Sequence, residues 1–172
     1  MKSKILIVDD DPMVRNLLSE QLQIHGYTTA VAASGKEALE ILLKEEFDLI
    51  ISDVRMYPMD GVELLQQVSI LYPEMAKILL TGYNDEHASE YAFESEGVFK
   101  IPKPYGEELM IVIKRALETR MLKRRIKYFG QKLIPEYARE LLETYGVSRE
   151  ELAVEVAEGN TTVFSLAQKG EV

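Results

Sequence analysis

Five short apolar runs, each too brief to be a helix and each followed by an amphipathic stretch, occupy the chain as far as Phe129 and leave few folds open to it. Ile5–Val8 is a continuous, β-branched-rich run closed by Asp9, the pattern of a strand buried on both faces. Thr28–Ala32, Leu49–Ser52, Lys77–Leu80 and Val98–Ile101 also read as strands. The intervening stretches carry helix punctuation. Asp11 caps a helix with Pro12 at its first position and Gly26 just past its end at His25, and Val14, Leu17, Leu18 and Leu22 form its apolar face. Ser34 with Glu37 makes a capping box ahead of Ala38, Leu39, Ile41, Leu42 and Leu43. Asp60 with Glu63 makes another ahead of Leu64, Leu65 and Val68, and Pro73 ends that helix. A weaker helix near Glu86–Ser95 stops at Gly97, and a long one runs from about Glu107 to Phe129 after Pro104. Strictly alternating strands and helices with short, right-handed connections force a parallel sheet covered on both faces, which is a doubly wound α/β domain.

Charge divides the chain in two. Residues 107–172 carry eleven Lys and Arg against eleven Asp and Glu, so the net charge of −9 arises wholly in residues 1–106. That balance argues against nonspecific nucleic-acid binding by the chain as a whole. With no Cys there is no disulfide framework and no thiolate metal site. The opening MKSKILIVDDD meets three carboxylates too early to act as a secretory signal, and no run is long enough to span a membrane, so the cytoplasm is expected.

In an open α/β sheet the ligand sits beyond the carboxyl ends of the strands, and the chain sets its unusual polar residues there. Asp9 and Asp10 follow the first strand, Asp53 the third and Thr81 the fourth, and Lys103 lies just past the fifth. Three converging carboxylates repel one another unless a cation joins them, and an all-oxygen ligand set points to Mg²⁺. Such a cation neutralises an incoming phosphoryl group, Asp53 is placed to attack its phosphorus, and Thr81 and Lys103 can bind its oxygens. The expected product is an aspartyl phosphate. No Gly-rich phosphate loop ending in Lys-Ser/Thr occurs, and neither His25 nor His87 has a metal-ligand neighbour, so nucleotide hydrolysis and histidine phosphotransfer have no support.

The segments ILIVDDD, ISDVRMYPMDG, LLTGYND and the Lys-Pro of PKPY together resemble the receiver domain of two-component response regulators, over roughly residues 1–122. The resemblance implies a flavodoxin-like, five-stranded parallel sheet in the order 2-1-3-4-5. It implies that Asp53 takes its phosphoryl group from the histidine of a sensor histidine kinase. Asp10 and Asp53 would bind Mg²⁺ together with the Arg55 backbone carbonyl, Asp9 would assist through water, and Thr81 and Lys103 would sense the phosphoryl group. Two features depart from the family pattern. In Met56-Tyr57-Pro58-Met59-Asp60-Gly61 the proline stands one place later than usual, so the loop path is open to change. The aromatic switch residue expected three positions before the lysine is here Lys100, with Phe99 beside it. Either Phe99 takes that role through a local shift, or the coupling between Thr81 and an aromatic is altered; the unchanged spacing from Thr81 to Lys103 favours substitution. Arg55 and Tyr83 occupy positions that in the family border the path of hydrolytic water.

Beyond the receiver, residues 123–172 read as a basic helix extension, Lys123, Arg124, Arg125 and Lys127, followed by two short helices at Pro135–Tyr145 and Ser148–Ala157. Glu150, Glu151 and Glu155 stand where a DNA-recognition helix would face phosphate, which disfavours groove insertion. Burial of Leu141, Leu142, Val154 and Phe164 against the receiver or a second subunit is the better use of the segment. The expected function is therefore a response regulator, itself no enzyme beyond its own phosphorylation and dephosphorylation, that signals to a downstream protein or a homodimer. A DNA-binding transcription regulator using the basic C-terminal segment is the alternative.

Overall fold

The computed structural model describes residues 2–82, 90–92 and 97–128. In chain order they form β1 (Lys4–Val8), α1 (Pro12–Ile24), β2 (Thr28–Ala32), α2 (Gly35–Leu42), β3 (Leu49–Asp53), α3 (Gly61–Leu71), β4 (Ala76–Thr81), β5 (Val98–Pro102) and α4 (Glu108–Tyr128). The strands make one all-parallel sheet in the order β2-β1-β3-β4-β5, as the sequence implied. Of the weaker helix expected near Glu86–Ser95, the helical residues Glu90–Ala92 are described. The expected helices at Pro135–Tyr145 and Ser148–Ala157 lie outside the described residues, as do His87 and Tyr83. The chain divides into two compact units, Met1–Arg124 and Arg125–Val172.

Alternation along each strand builds two cores. Leu6, Val8, Ile50 and Leu79 face α2 and α3, where Ala38, Leu42, Leu65 and Val68 meet them. Ile5, Ile7, Ile51 and Ile78 face the other way, against Leu18 and Leu22 of α1 and Leu109 and Ile113 of α4. Each of these larger side chains, buried to within a few per cent, contributes about 1.5–3 kcal/mol through lost apolar exposure. Because both faces are covered, the strands need no polar alternation, which is why they stand out in the sequence as unbroken apolar runs.

The helix ends follow the caps that the sequence displays. Asp11 accepts from the Met13 N–H at 2.8 Å, Ser34 from Glu37 at 3.3 Å, and Asp60 from Glu63 at 2.8 Å. Gly26, with φ of +88°, takes the left-handed turn after α1 that a side chain would strain. His25 sits at that helix end, its Nδ1 within 2.8 Å of the Gln21 carbonyl. The apolar face expected for α1 is narrower than anticipated: Leu18 and Leu22 are buried, whereas Leu17 is 69% exposed. A helix packed on a sheet buries an i, i+4 stripe, and Leu17 lies a step of about 100° around from Leu18.

Candidate functional site

The site is made by the carboxyl ends of β1, β3 and β4 and the turn after β5. β3, β4 and β5 each run one residue further than the apolar runs suggest, whereas β1 and β2 end at Val8 and Ala32 as read. Asp53 is still in register with Leu80 of β4, and Thr81 with Pro102 of β5. Asp53 and Thr81 are therefore held by the sheet ladder itself. Asp53 is 8% exposed, Asp9 2% and Thr81 2%. Asp10, one residue beyond Asp9, is exposed.

Asp9, Asp10 and Asp53 each offer a carboxylate oxygen, and these oxygens lie within 4.8 Å of one another. Lys103 reaches in from the far side, its Nζ 2.8 Å from Asp53 Oδ1 and 3.0 Å from Asp9 Oδ2. The turn that delivers it is fixed by its own backbone, since the Lys103 N–H donates to the Thr81 carbonyl at 2.6 Å. Asp9 is positioned in turn. Its Oδ1 accepts from the Asp11 N–H at 2.9 Å, and its carbonyl accepts from Arg15 Nη1 at 2.5 Å.

The loop after β3 folds back on Asp53. The Arg55 N–H donates to Asp53 Oδ2 at 3.1 Å, and the Gly61 N–H to the Val54 carbonyl at 2.8 Å. Met56 turns into the core, whereas Tyr57 is 88% exposed. Gly61, the first residue of α3, passes so close that a Cβ placed on it would lie 2.0 Å from the Asp53 carbonyl oxygen.

Electrostatics sets the condition of these groups. Burial pushes the Asp53 carboxyl above its ordinary value; the Lys103 hydrogen bond and charge pull it down, and the Asp9 charge adds to the rise. Burial works against the Lys103 ammonium too, but hydrogen bonds to Asp53 and Asp9 and their charges outweigh it, so the lysine stays protonated above its usual range. Tyr105 was not foreseen. Burial first, then the charges of Asp9 and Asp53, push its phenol above the ordinary value against the opposing pull of the Lys103 charge, so it stands beside the pocket. The signal was available, two residues past Lys103, but an aromatic there reads as ordinary packing.

A sequence-family model for the response regulator receiver domain matches residues 5–114. The chain belongs to this family. Sporulation initiation phosphotransferase F of Bacillus subtilis (strain 168) is 34% identical over 118 residues, which is 68% of this chain and 95% of that protein. Regulatory protein AtoC of Escherichia coli (strain K12) is 30% identical over 132 residues, 76% of this chain, and the chain spans only 29% of its length. Among solved structures, a CheY-like receiver domain protein from Methanospirillum hungatei JF-1 superposes with a TM-score of 0.67 at 32% identity, covering 72% of this chain and 99% of that one. The receiver is a signalling phosphoacceptor module, and receivers of this family generally bind Mg²⁺ in the acidic pocket and draw phosphate from histidine kinases.

Against that background, the pocket of this receiver unites Asp9, Asp10, Asp53 and Lys103, with Thr81 closing the adjacent strand. Three carboxylates against one ammonium leave two formal negative charges, and all donors at the centre are oxygens. That donor set suits a hard divalent cation. Arg55 is exposed and touches the pocket through its backbone. Phe99, in register with Ile78 of β4, packs against the core on the α1 and α4 side of the sheet, while Lys100 is exposed on the strand's other face. Among the described residues no helix is long and apolar enough to cross a membrane.

Proposed function

We propose that the chain is a cytoplasmic two-component response regulator in which Asp53 accepts a phosphoryl group from the phosphohistidine of a sensor histidine kinase. The convergence of Asp9, Asp10 and Lys103 on Asp53, at the end of β3, carries this reading. An Asp53 carboxylate oxygen attacks phosphorus in line as the bond to the histidine nitrogen breaks. Lys103, already 2.8 Å from that carboxylate, follows the charge onto a phosphoryl oxygen, and the Thr81 hydroxyl supplies a second donor. Asp10, Asp53 and the Arg55 backbone carbonyl would hold Mg²⁺, with Asp9 assisting through water. When bound, the ion supplies positive charge that neutralises the transferring group. Later hydrolysis of the acyl phosphate returns Asp53 to its resting state, so the chain catalyses only its own phosphorylation and dephosphorylation.

New charge at Asp53 that draws in Thr81 and Lys103 shifts a two-state surface. Phe99 and Lys100 then act as the switch elements on β5, with Lys100 in place of an aromatic. On this reading residues 1–122 are the receiver and residues 123–172 an extension through which output passes to a downstream protein or a second copy. The basic turn at Lys123–Arg125 keeps DNA as the competing target, although Arg124 there lies 3.6 Å from Glu74. The decisive experiment exposes the full chain and Asp53→Asn to acetyl phosphate with Mg²⁺ and reads intact mass and molecular size. Wild type gains one phosphoryl group and the variant gains none; an unmodified wild type refutes the proposal.

A further inference from the structure

The opposite end of the sheet, where β4 begins, buries a lysine that has no carboxylate partner among the described residues. Lys77 is 2% exposed, and its Nζ donates to the Met75 carbonyl at 3.0 Å. An ammonium carries three N–H groups, so two remain for other acceptors. Beside it, Arg120 of α4 donates from Nη1 to Asp48 Oδ1 at 2.7 Å, while its Nε is buried with no hydrogen-bond partner among the described residues. Native structures rarely leave such donors unanswered, since a buried unsatisfied group is costly.

Lys77, Thr119, Arg120 and Lys123 line one narrow pocket of about 30 Å³. That is room for one or two water-sized oxygens. Pro73, Glu74, Met75 and Arg120 also line an adjoining cavity of about 380 Å³, walled further by Phe47 and Tyr72. Of the nearby acids, Asp48 accepts from Arg120 and from the Lys4 N–H at 2.8 Å, Glu74 lies 3.6 Å from Arg124 and Glu45 pairs with Lys4, while Glu46 lies on the wall of the larger cavity, away from the narrow pocket. Burial lowers the Lys77 pKa and the Lys123 charge lowers it further.

We infer that this pocket binds the oxyanion group of a small metabolite, a phosphate or a carboxylate, through Lys77 Nζ and Arg120 Nε, with the larger cavity receiving the rest of the molecule. The site is separate from the aspartyl pocket and does not depend on its chemistry. An occupant would tie the start of β4 to α4, the helix that leads out of the receiver.

The test is an amide NMR titration of the full chain, without Mg²⁺, using inorganic phosphate, acetate and chloride at matched ionic strength. Saturable shifts around Lys77, Gly97 and Arg120 with phosphate or acetate, and none with chloride, are expected; the tighter of the two identifies the headgroup. Lys77→Met weakens that binding at least about tenfold, whereas Lys36→Met, which removes an exposed cation of equal charge, does not. Arg120→Lys, which keeps a cation but deletes the guanidinium Nε–H, gives an independent reading and also weakens it. Absence of saturable shifts, shifts confined to the surroundings of Thr81 and Lys103, or wild-type affinity in both Lys77→Met and Arg120→Lys overturns the inference.

Discussion

Replacing Gly61 by alanine sets a methyl group against the backbone of the phosphoacceptor itself. The new Cβ would lie 2.0 Å from the Asp53 carbonyl oxygen and 2.9 Å from its carbonyl carbon. Carbon approaches such an oxygen to about 3.3 Å at best, so α3 and the end of β3 must part by roughly 1.3 Å. No flexible side chain is available to yield, because the obstacle is main chain. The separation also strains the Gly61 N–H bond to the Val54 carbonyl, 2.8 Å long in the native fold. Overpacking of this kind costs about 1–3 kcal/mol. A displacement of about 1 Å at a reacting group lowers its rate on the order of a hundredfold. Urea unfolding measures the first effect, and the rate of mass gain from acetyl phosphate with Mg²⁺ measures the second. Gly106→Ala is the control, because its Cβ would meet only the movable end of Glu108, at 3.0 Å. A Gly61→Ala protein as stable and as quickly phosphorylated as wild type would refute the reasoning.

Four further outcomes follow from the same geometry. Since Asp53 has a raised pKa in the fold, the native state holds its proton more tightly than the unfolded chain, and stability falls as pH climbs from the ordinary carboxylate value through the raised one. Asp53→Asn is accordingly more stable than wild type at neutral pH without metal, an advantage that vanishes in acid; urea midpoints across pH check it. Mg²⁺ at about a hundred times its dissociation constant stabilises wild type by about 2.7 kcal/mol, and Asp53→Asn by much less, read as a difference in thermal midpoint. Lys77 has a lowered pKa, so its protonation opposes folding below that value and the penalty fades as pH rises toward 10.5. Without added anion, Lys77→Met thus gains about 1 kcal/mol at neutral pH, and its urea midpoint converges on wild type in alkali. Lys100→Tyr alters phosphorylation-dependent association with partner or second copy, and identical binding isotherms for the two proteins would sink the role given to Lys100.

The architecture was legible because the three inner strands, β1, β3 and β4, are buried on both faces. Ile5–Val8 or Leu49–Ile51 needs no polar interruption, and α1, α2 and α3 each display a cap at their start, so element order and sheet type follow from the text of the chain. Strand ends were less legible. Asp53 and Thr81 belong to the ladder through backbone pairing with neighbouring strands, which side-chain hydropathy does not encode. Asp9, Asp10, Asp53 and Lys103 could be named from their places after successive strands, and the fold brings them together. Tyr105 and the tight passage of Gly61 could not, since both depend on distances across the fold. Likewise Lys77 begins what reads as an ordinary apolar strand, and only its enclosure beside α4 makes it unusual.

The strand order leaves β2 and β5 as the outer margins of the sheet. A bare margin is a template on which another chain can add a strand, and proteins discourage this with charge and proline. β5 has both, with the exposed Lys100 at its middle and Pro102, which lacks an N–H, at its end. Lys100 therefore guards against stacking of copies edge to edge, and an aromatic in its place would leave that margin more open to aggregation.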